Sequence, residues 1–304
     1  MPKYVERMIQ EQKDLEGKIK KGKEATILFG EPNETMNGLY KMVSEAFPEA
    51  FSNREPAFAD DMLLVVVDVN RPSICEFPDA IKKAKCVAII DHHRKGEDAI
   101  KNPDFDYVET HASSTSEMVT EIVEYIFREK KIDEITASAL YAGIVVDTYN
   151  FNTKTSARTF EAAAYLKNCG ADTTRVRKML RESIESFKEK IDIVNTVEIF
   201  NDYYAFGSYK NEDQTGNPVI GAQAANALLE INGIKASFVF TPVKNKIYIS
   251  ARSIDETNVQ IILERMGGGG HLTVAGAQLE GYTLEEAINY TKKTIIEMTA
   301  EGEI

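Results

Sequence analysis

Short apolar runs that each end at a polar or glycine residue constrain the fold of this chain most strongly. Three of them follow one another in its first half: "ATILFG" (25–30), "MLLVVVDVN" (62–70) and "KCVAIIDHH" (85–93). Helical patterns such as "LYKMVSEAF" (39–47) separate them. Continuous apolar strands that alternate with helices are typical of a parallel sheet covered on both faces. The first half of the chain is therefore predicted to be an α/β domain.

Composition and charge narrow the class of protein. The 304 residues are 43% hydrophobic and 28% charged, which is typical of a globular chain with roughly two domains. The net charge of −12 excludes bulk adhesion to DNA or RNA, although a local basic cluster can still hold a small phosphorylated ligand. The three cysteines are too few and too scattered for a disulfide framework, which predicts a cytoplasmic location. No apolar run approaches the roughly 20 residues that span a bilayer.

Four segments are predicted along the chain. Residues 1–21 read as an amphipathic connector helix, for which an ordinary surface helix is the alternative. An α/β metal-binding domain follows over residues 22–172, and a linker helix covers 173–200. Short alternating strands between helices then predict a smaller α+β domain over 201–304.

Acids and imidazoles stand at the ends of three apolar runs. Asp68 follows "LLVVV", the triplet Asp91-His92-His93 follows "VAII", and Asp147 follows "GIVV". Parallel strands end at one edge of their sheet, about 4.8 Å apart, so these side chains can reach one cation. Single acids at strand ends are commonly turn residues, but three aligned ends favour a metal. Mixed carboxylate and imidazole ligands suit Mn²⁺, and two such ions roughly 4 Å apart would clamp a phosphodiester.

A glycine run marks the second half of the chain. Gly267, Gly268, Gly269 and Gly270 precede His271 in "MGGGGHLTVAG". Consecutive glycines let backbone N–H groups surround an anion, and the run was expected to lie beside a helix start. We expect Arg252, whose planar fork fits a phosphate, to complete this site. A flexible hairpin turn is the alternative.

Several of these stretches together resemble a known family. They are "VVVDVNRPS", "VAIIDHHRKG", "HASSTSEMVTEI", "AGIVVDTYNFNTKTSARTFEAAAYL" and "ISARS…NVQIILERMGGGGHLTVAGAQL". In this order they resemble the DHH phosphoesterases with a C-terminal DHH-associated domain, and among these the bacterial cyclic di-AMP phosphodiesterases. The resemblance covers roughly residues 22 to 290. It implies a ligand cleft between two domains and Mn²⁺-dependent hydrolysis of cyclic di-AMP to pApA.

The resemblance also implies roles for individual residues. Asp68 would bridge two Mn²⁺ ions, while His92 and Asp147 would bind the second ion. His93, next to Asp91, would face the substrate phosphate, and both are taken as catalytic. The run Gly267 to His271 and Arg252 would hold the nucleotide. Asn70 departs from the pattern, because cyclic di-AMP phosphodiesterases usually carry His there and oligonucleotide-cleaving relatives often carry Asn.

One family motif, His-x-x-x-Asp-x-Asp after a first strand, is missing from this sequence. In one interpretation "GKEATILFGEPNE" (22–34) matches the family's second strand, so the domain is one strand–helix unit short. In the other, "FGEPNETMNG" (29–38) is a decayed motif in which Glu31 replaces the histidine and Thr35 and Asn37 replace the two aspartates. Of these only Glu31 is a good ligand, and normal turnover would point to Glu31 or Glu34 as substitute ligands. We favour the first. It predicts one Mn²⁺ where the family holds two, and impaired activity.

Several functions stay open at this point. The first is a phosphodiesterase of the cyclic di-AMP type, and the second is a nanoRNase or pAp phosphatase. A nucleotide-binding module without catalysis is a third, and a chain left without function by its shortened sheet is a fourth. The expected ligand is a cyclic dinucleotide or a short adenine nucleotide, and the resemblance raises a homodimer through the metal-binding domain.

Overall fold

The computed structural model describes residues 25–30, 32, 36–55, 58–60, 62–126, 131–209, 216–254 and 257–304. The chain divides into two compact units, 1–181 and 182–304. The predicted connector helix over 1–21 and the acids Glu31 and Glu34 lie outside the described residues. None of the helices in the described part is long and apolar enough to cross a membrane.

The first unit is of mixed α/β type. Its strands are β1 (Ile27–Leu28), β2 (Phe51–Ser52), β3 (Leu63–Val67), β4 (Cys86–Asp91) and β5 (Phe105–Val108). Its helices are α1 (Asn37–Ala46), α2 (Pro78–Lys83), α3 (Thr115–Ile126), α4 (Glu134–Asp147), α5 (Ala157–Asn168) and α6 (Thr173–Met179), with short 3₁₀ turns at Pro48–Ala50 and Pro72–Ile74. The predicted parallel sheet is confirmed, in the order β3-β4-β5.

The apolar sequence of β3 and β4 explains one well-packed face of this sheet. Val66 pairs with Ile89, and both join Val87 and Ile100 in a buried cluster. On the other face, Leu63, Val65 and Val67 are 46%, 46% and 52% exposed. Among the described residues β3 is an edge strand of this sheet.

The predicted strand at 25–30 does not join this sheet. Ile27–Leu28 pairs in parallel with Phe51–Ser52 in a separate two-stranded sheet. The third strand of the main sheet is instead Phe105–Val108, which the sequence did not predict. Its sequence, "FDYV", has two polar or amphipathic positions, and an edge strand needs no continuous apolar run.

Asp147 was expected at the end of a buried strand, and this was wrong. It is the last residue of α4, which begins after Asp133 accepts hydrogen bonds from the N–H groups of Ile135 and Thr136. Buried Ile144 and Val145 lie within this helix. An apolar run that is buried as a helix cannot be told from a buried strand by periodicity alone, which explains the error.

The prediction of a single linker helix over 173–200 was also wrong. After α6 ends, the Ser183 hydroxyl accepts a hydrogen bond from the Ser186 N–H and starts a separate helix, α7 (Ile184–Val194). A strand, β6 (Glu198–Phe200), occupies the end of the segment. The boundary between the two compact units falls between these helices, after Arg181.

The second unit is an α+β layer structure. Its further elements are β7 (Tyr204–Ser208), α8 (Pro218–Leu229), β8 (Ala236–Val243), β9 (Lys246–Ser253), α9 (Val259–Arg265), β10 (Gly269–His271), β11 (Val274–Glu280) and α10 (Leu284–Glu301). Its sheet has the order β10-β11-β9-β8-β7-β6, and only the β7–β8 pair is parallel. Phe238 and Phe240 of β8 pack in one core with Ile295 of α10, while Val239 packs with Leu228 of α8 on the other face.

Candidate metal centre

Two carboxylates from different elements lie close to the imidazole nitrogen of a third residue. Asp68 follows β3, His92 follows β4 and Asp147 ends α4. The Nε2 atom of His92 lies 3.6 Å from Oδ1 of Asp68 and 3.8 Å from Oδ2 of Asp147. Carboxylate oxygens beside an imidazole nitrogen are donors that suit Mn²⁺ or a similar divalent ion.

The buried imidazole is oriented by the backbone. Nδ1 of His92 lies 3.3 Å from the carbonyl oxygen of Ala112, so Nδ1–H donates and the Nε2 lone pair faces the two acids. Burial, followed by the nearby His93, lowers the pKa of His92. His92 is therefore neutral, which is the form that binds a metal.

The second imidazole forms an ordered pair with a buried acid. Nδ1 of His93 donates to Oδ1 of Asp91 at 2.8 Å, and the His93 backbone N–H donates to the same oxygen at 3.1 Å. Ligand atoms of Asp68, His92 and His93 all lie within 4.8 Å of one another. Asp91 is fully buried, whereas about half of the His93 side chain faces solvent.

Asp91 and His93 each shift the pKa of the other toward its charged form. Burial alone would raise the pKa of Asp91, but hydrogen bonds from the ring and backbone of His93 and from Asn70 bring it below its usual value. The hydrogen bond to Asp91 in turn raises the pKa of His93. When His93 is protonated, its Nε2–H can donate to an anionic group.

The ionised form of Asp147 is disfavoured in the ion-free protein. Its burial, and then the proximity of Asp68, raise the pKa of Asp147 to about 6. Asp68 and Asp147 repel each other when both are ionised and no cation is present. A divalent ion would relieve this repulsion, so the electrostatics of the site fit a metal.

Asn70 serves the His93–Asp91 pair. It is buried, and its amide donates to Oδ2 of Asp91 at 2.6 Å and to the carbonyl of His93 at 3.1 Å. Its Oδ1 has no hydrogen-bond partner among the described residues. The sequence pointed to Asn70 only through its departure from the family pattern, and not to this contact.

Thr115 is a further site residue that sequence reasoning missed. Its hydroxyl donates to Oδ1 of Asp68 at 2.8 Å. Thr115 lies in "HASSTSEMVTEI", which entered the sequence analysis only as one of the stretches that carry the family resemblance. Nothing in that pattern reveals a partner 47 residues away.

In the second unit, Arg252 and His271 lie on one face of the sheet. The register aligns His271 of β10 with Val274 of β11, and Val274 with Arg252 of β9. The two basic side chains are therefore two strand spacings of about 4.8 Å apart. Arg252 donates to Oδ1 of Asn226 at 3.0 Å and to the carbonyl of Ala251 at 2.8 Å, which orients its guanidinium.

The glycine run differs from the expected anion nest beside a helix start. It follows the end of α9, where the Gly267 N–H donates to Glu264 and the Gly268 N–H donates to Leu263. With Gly267 at φ +79°, this is the Schellman arrangement that closes a helix, so these two N–H groups are already used. Gly269 and Gly270 continue into β10, and their role toward a ligand stays a prediction.

Comparison with known protein families agrees with both units. Residues 2–144 match the DHH family, N-terminal domain, and residues 203–300 match the DHHA1 domain. This chain belongs to the DHH family. The DHH triplet of the family name corresponds to Asp91, His92 and His93 at the site described above.

Two curated relatives of this DHH-family chain are named for the same activity. It is 41% identical over 290 residues to the cyclic-di-AMP phosphodiesterase GdpP of Bacillus subtilis, covering 95% of this chain and 41% of the relative. It is 44% identical over 226 residues to the cyclic-di-AMP phosphodiesterase PdeA of Listeria monocytogenes, covering 74% of this chain and 34% of the relative. The chain thus spans about two fifths or less of these relatives.

More distant similarities extend the same fold. The bifunctional oligoribonuclease and PAP phosphatase NrnA of Mycoplasma pneumoniae is 26% identical over 231 residues, covering 74% of this chain and 70% of the relative. An exopolyphosphatase-related protein from Bacteroides fragilis superposes with a TM-score of 0.74 at 20% identity, covering 95% of this chain and 96% of that one. The latter likeness shows the DHH-family fold.

Proposed function

We propose that this chain is a divalent-metal-dependent phosphodiesterase whose first substrate is cyclic di-AMP, which it hydrolyses to pApA. The observation that carries the proposal is the convergence of Asp68 and Asp147 on Nε2 of His92, at 3.6 and 3.8 Å. The printed activities of the Bacillus and Listeria relatives support the choice of substrate.

Within this proposal, Asp68, His92 and Asp147 would hold a divalent ion such as Mn²⁺, which would supply charge stabilisation at the phosphate and activate water near neutral pH. His93 donates a hydrogen bond from Nε2–H to a phosphate oxygen, while Asp91 fixes its ring. Asn70 keeps the Asp91 carboxylate in place for that task.

The two units take separate roles in the proposal. The first corresponds to the predicted metal-binding domain. In the second, Arg252 and His271 hold a phosphate or base of the nucleotide, together with the backbone of Gly269 and Gly270. The predicted homodimer and cytoplasmic location stay predictions.

We further propose that a single ion is bound and that turnover is slow. The sequence lacks the His-x-x-x-Asp-x-Asp motif that supplies the other ligands in the family. Loss of one ion removes several kcal/mol of charge stabilisation from the transition state, which lowers the rate by about 10³-fold or more.

Turnover and metal stoichiometry test the proposal together. The purified protein is incubated with cyclic di-AMP and Mn²⁺, pApA is quantified by chromatography, and bound Mn²⁺ is titrated by calorimetry. We expect one ion per chain and slow pApA release that Asp68→Asn abolishes. The exposed Asp79→Asn variant, which loses only a surface contact to Lys82, serves as the matched control. Absence of Mn²⁺ binding, or equal turnover by Asp68→Asn, would refute the proposal.

Cleavage of short oligoribonucleotides or pAp is the second candidate. Asn70 and the similarity to the Mycoplasma NrnA, of which this chain spans 70%, favour it. Parallel assays with cyclic di-AMP, a diribonucleotide and pAp separate the two candidates by kcat/KM. Calorimetric binding of cyclic di-AMP without any product would instead indicate a nucleotide-binding module.

A further inference from the structure

The start of α3 holds one carboxylate of the candidate metal centre. Thr115, the first residue of this helix, is 5% exposed and donates its hydroxyl to Oδ1 of Asp68 at 2.8 Å. This is the same oxygen that faces Nε2 of His92. The Asp68 side chain is 54% exposed and its backbone lies in the left-handed region at φ +62°. Packing alone therefore does not fix this carboxylate, and the Thr115 hydroxyl is what points Oδ1 at the imidazole.

The same segment orients the imidazole. Ala112 lies three residues before Thr115, and its carbonyl accepts the hydrogen bond from Nδ1 of His92 at 3.3 Å. Movement of this segment would therefore displace Asp68 and His92 together. A four-residue stretch thus sets the relative positions of two ligands that come from different strands.

A buried acid anchors the segment. Oε2 of Glu117 accepts hydrogen bonds from the hydroxyl and N–H of Ser113, at 2.5 and 3.4 Å, and from the hydroxyl of Thr159 at 2.6 Å. The Glu117 side chain is fully buried, and Arg158 lies 4.0 Å from its other oxygen. Burying a carboxylate is costly, and here three donors satisfy Oε2 while Oε1 accepts no hydrogen bond among the described residues. The contacts to Oε2 fix the turn that carries Ala112 and Thr115.

We propose that Thr115 is a positioning residue that sets the affinity of the site for its divalent ion by orienting Asp68. The inference rests on the proposed metal-dependent function. Groups that orient metal ligands typically change metal affinity by about 10- to 100-fold when they are removed. Valine has the shape of threonine but no donor, whereas serine keeps the donor.

Mn²⁺ titration of the full chain tests this role, with bound and free ion separated by electron paramagnetic resonance. We expect Thr115→Val to raise the Kd for Mn²⁺ by about 10-fold and Thr115→Ser to stay within about 3-fold of the unchanged chain. Thr120→Val is the matched control: Thr120 is also buried in α3, but its hydroxyl donates to the carbonyl of Ser116 in its own helix. We expect this control to leave the Kd unchanged.

Thermal unfolding of the ion-free variants separates positioning from folding, since both valine variants should unfold cooperatively. If the unchanged chain binds Mn²⁺ and Thr115→Val binds it equally well, the positioning role is overturned while the metal centre stands. An equal loss in Thr115→Ser and Thr115→Val also overturns it. If the unchanged chain binds no Mn²⁺, both the metal centre and the positioning role are overturned.

Discussion

Ionised Asp147 is energetically unfavourable in the ion-free protein, because the side chain is buried and lies near Asp68. Its pKa is raised from 3.8 to about 6, so the folded state binds this proton more tightly than the unfolded chain does. Stability is therefore lost as the pH rises from about 4 to 6, because the buried carboxyl must ionise beside Asp68. Above that range the ion-free protein carries the whole penalty, and a bound cation would remove it.

This predicts that Asp147→Asn stabilises the ion-free protein. At pH 7.5 in the presence of EDTA we expect a gain of about 1 to 2 kcal/mol in the free energy of unfolding, reduced from the full shift because the side chain is partly solvated. At pH 4 most of the gain should be lost, since Asp147 in the folded protein is then protonated and neutral. Denaturant unfolding at the two pH values measures the difference. A gain that does not depend on pH would contradict the electrostatic cause.

The end of α9 shows how element geometry limits the glycine run. A Cβ on Gly268 would lie 2.3 Å from the carbonyl oxygen of Gly276 in β11, whereas a Cβ on Gly269 meets nothing within 4 Å. The first glycine is thus required by packing of the helix end against the strand. The second has no such requirement and is the better candidate for a ligand role.

Two alanine variants separate these roles. We expect Gly268→Ala to lower the free energy of unfolding by about 2 kcal/mol or more, because backbone must move to accept the methyl group. Gly269→Ala should change it by less than about 1 kcal/mol. Urea unfolding measures both. If the two variants lose equal stability, the packing interpretation fails. A Gly269→Ala variant that keeps its stability gives a clean test of nucleotide binding.

At the scale of the whole molecule, the two units differ in how completely they are packed. The second contains a continuous core that includes Phe238, Phe240 and Ile295, whereas one face of β3 in the first is exposed. We expect residues 182–304 to fold alone and unfold cooperatively, as followed by circular dichroism and calorimetry. A fragment without a cooperative transition would show that the first unit is needed for its stability.

The sequence predicted the parts of the molecule that depend on local pattern. Strands Leu63–Val67 and Cys86–Asp91 were predicted because their apolar runs are uninterrupted. Phe105–Val108 was missed because a short edge strand carries little pattern. Asp147 was predicted near Asp68 and His92 as a strand-end residue, whereas it is the last residue of a helix.

The contacts within the site were harder to predict than the candidate ligands. A strand followed by an acid or an imidazole is visible in sequence, so Asp68 and His92 could be named as ligands. The Thr115–Asp68 and Asn70–Asp91 hydrogen bonds join residues 47 and 21 positions apart, and they depend on how helix and sheet meet. Local periodicity contains no information about such distant pairs.

The uncovered side of β3 has a practical consequence for work with this protein. Leu63, Val65 and Val67 form an exposed apolar row on one face of β3. Within the described residues, the outer backbone edge of this strand pairs with no other strand. An unpaired strand edge of this kind can form backbone hydrogen bonds with strands of other chains. Concentrated samples should therefore associate reversibly before they reach the concentration needed for crystals. The Val65→Lys substitution is the simplest way to keep the protein monodisperse.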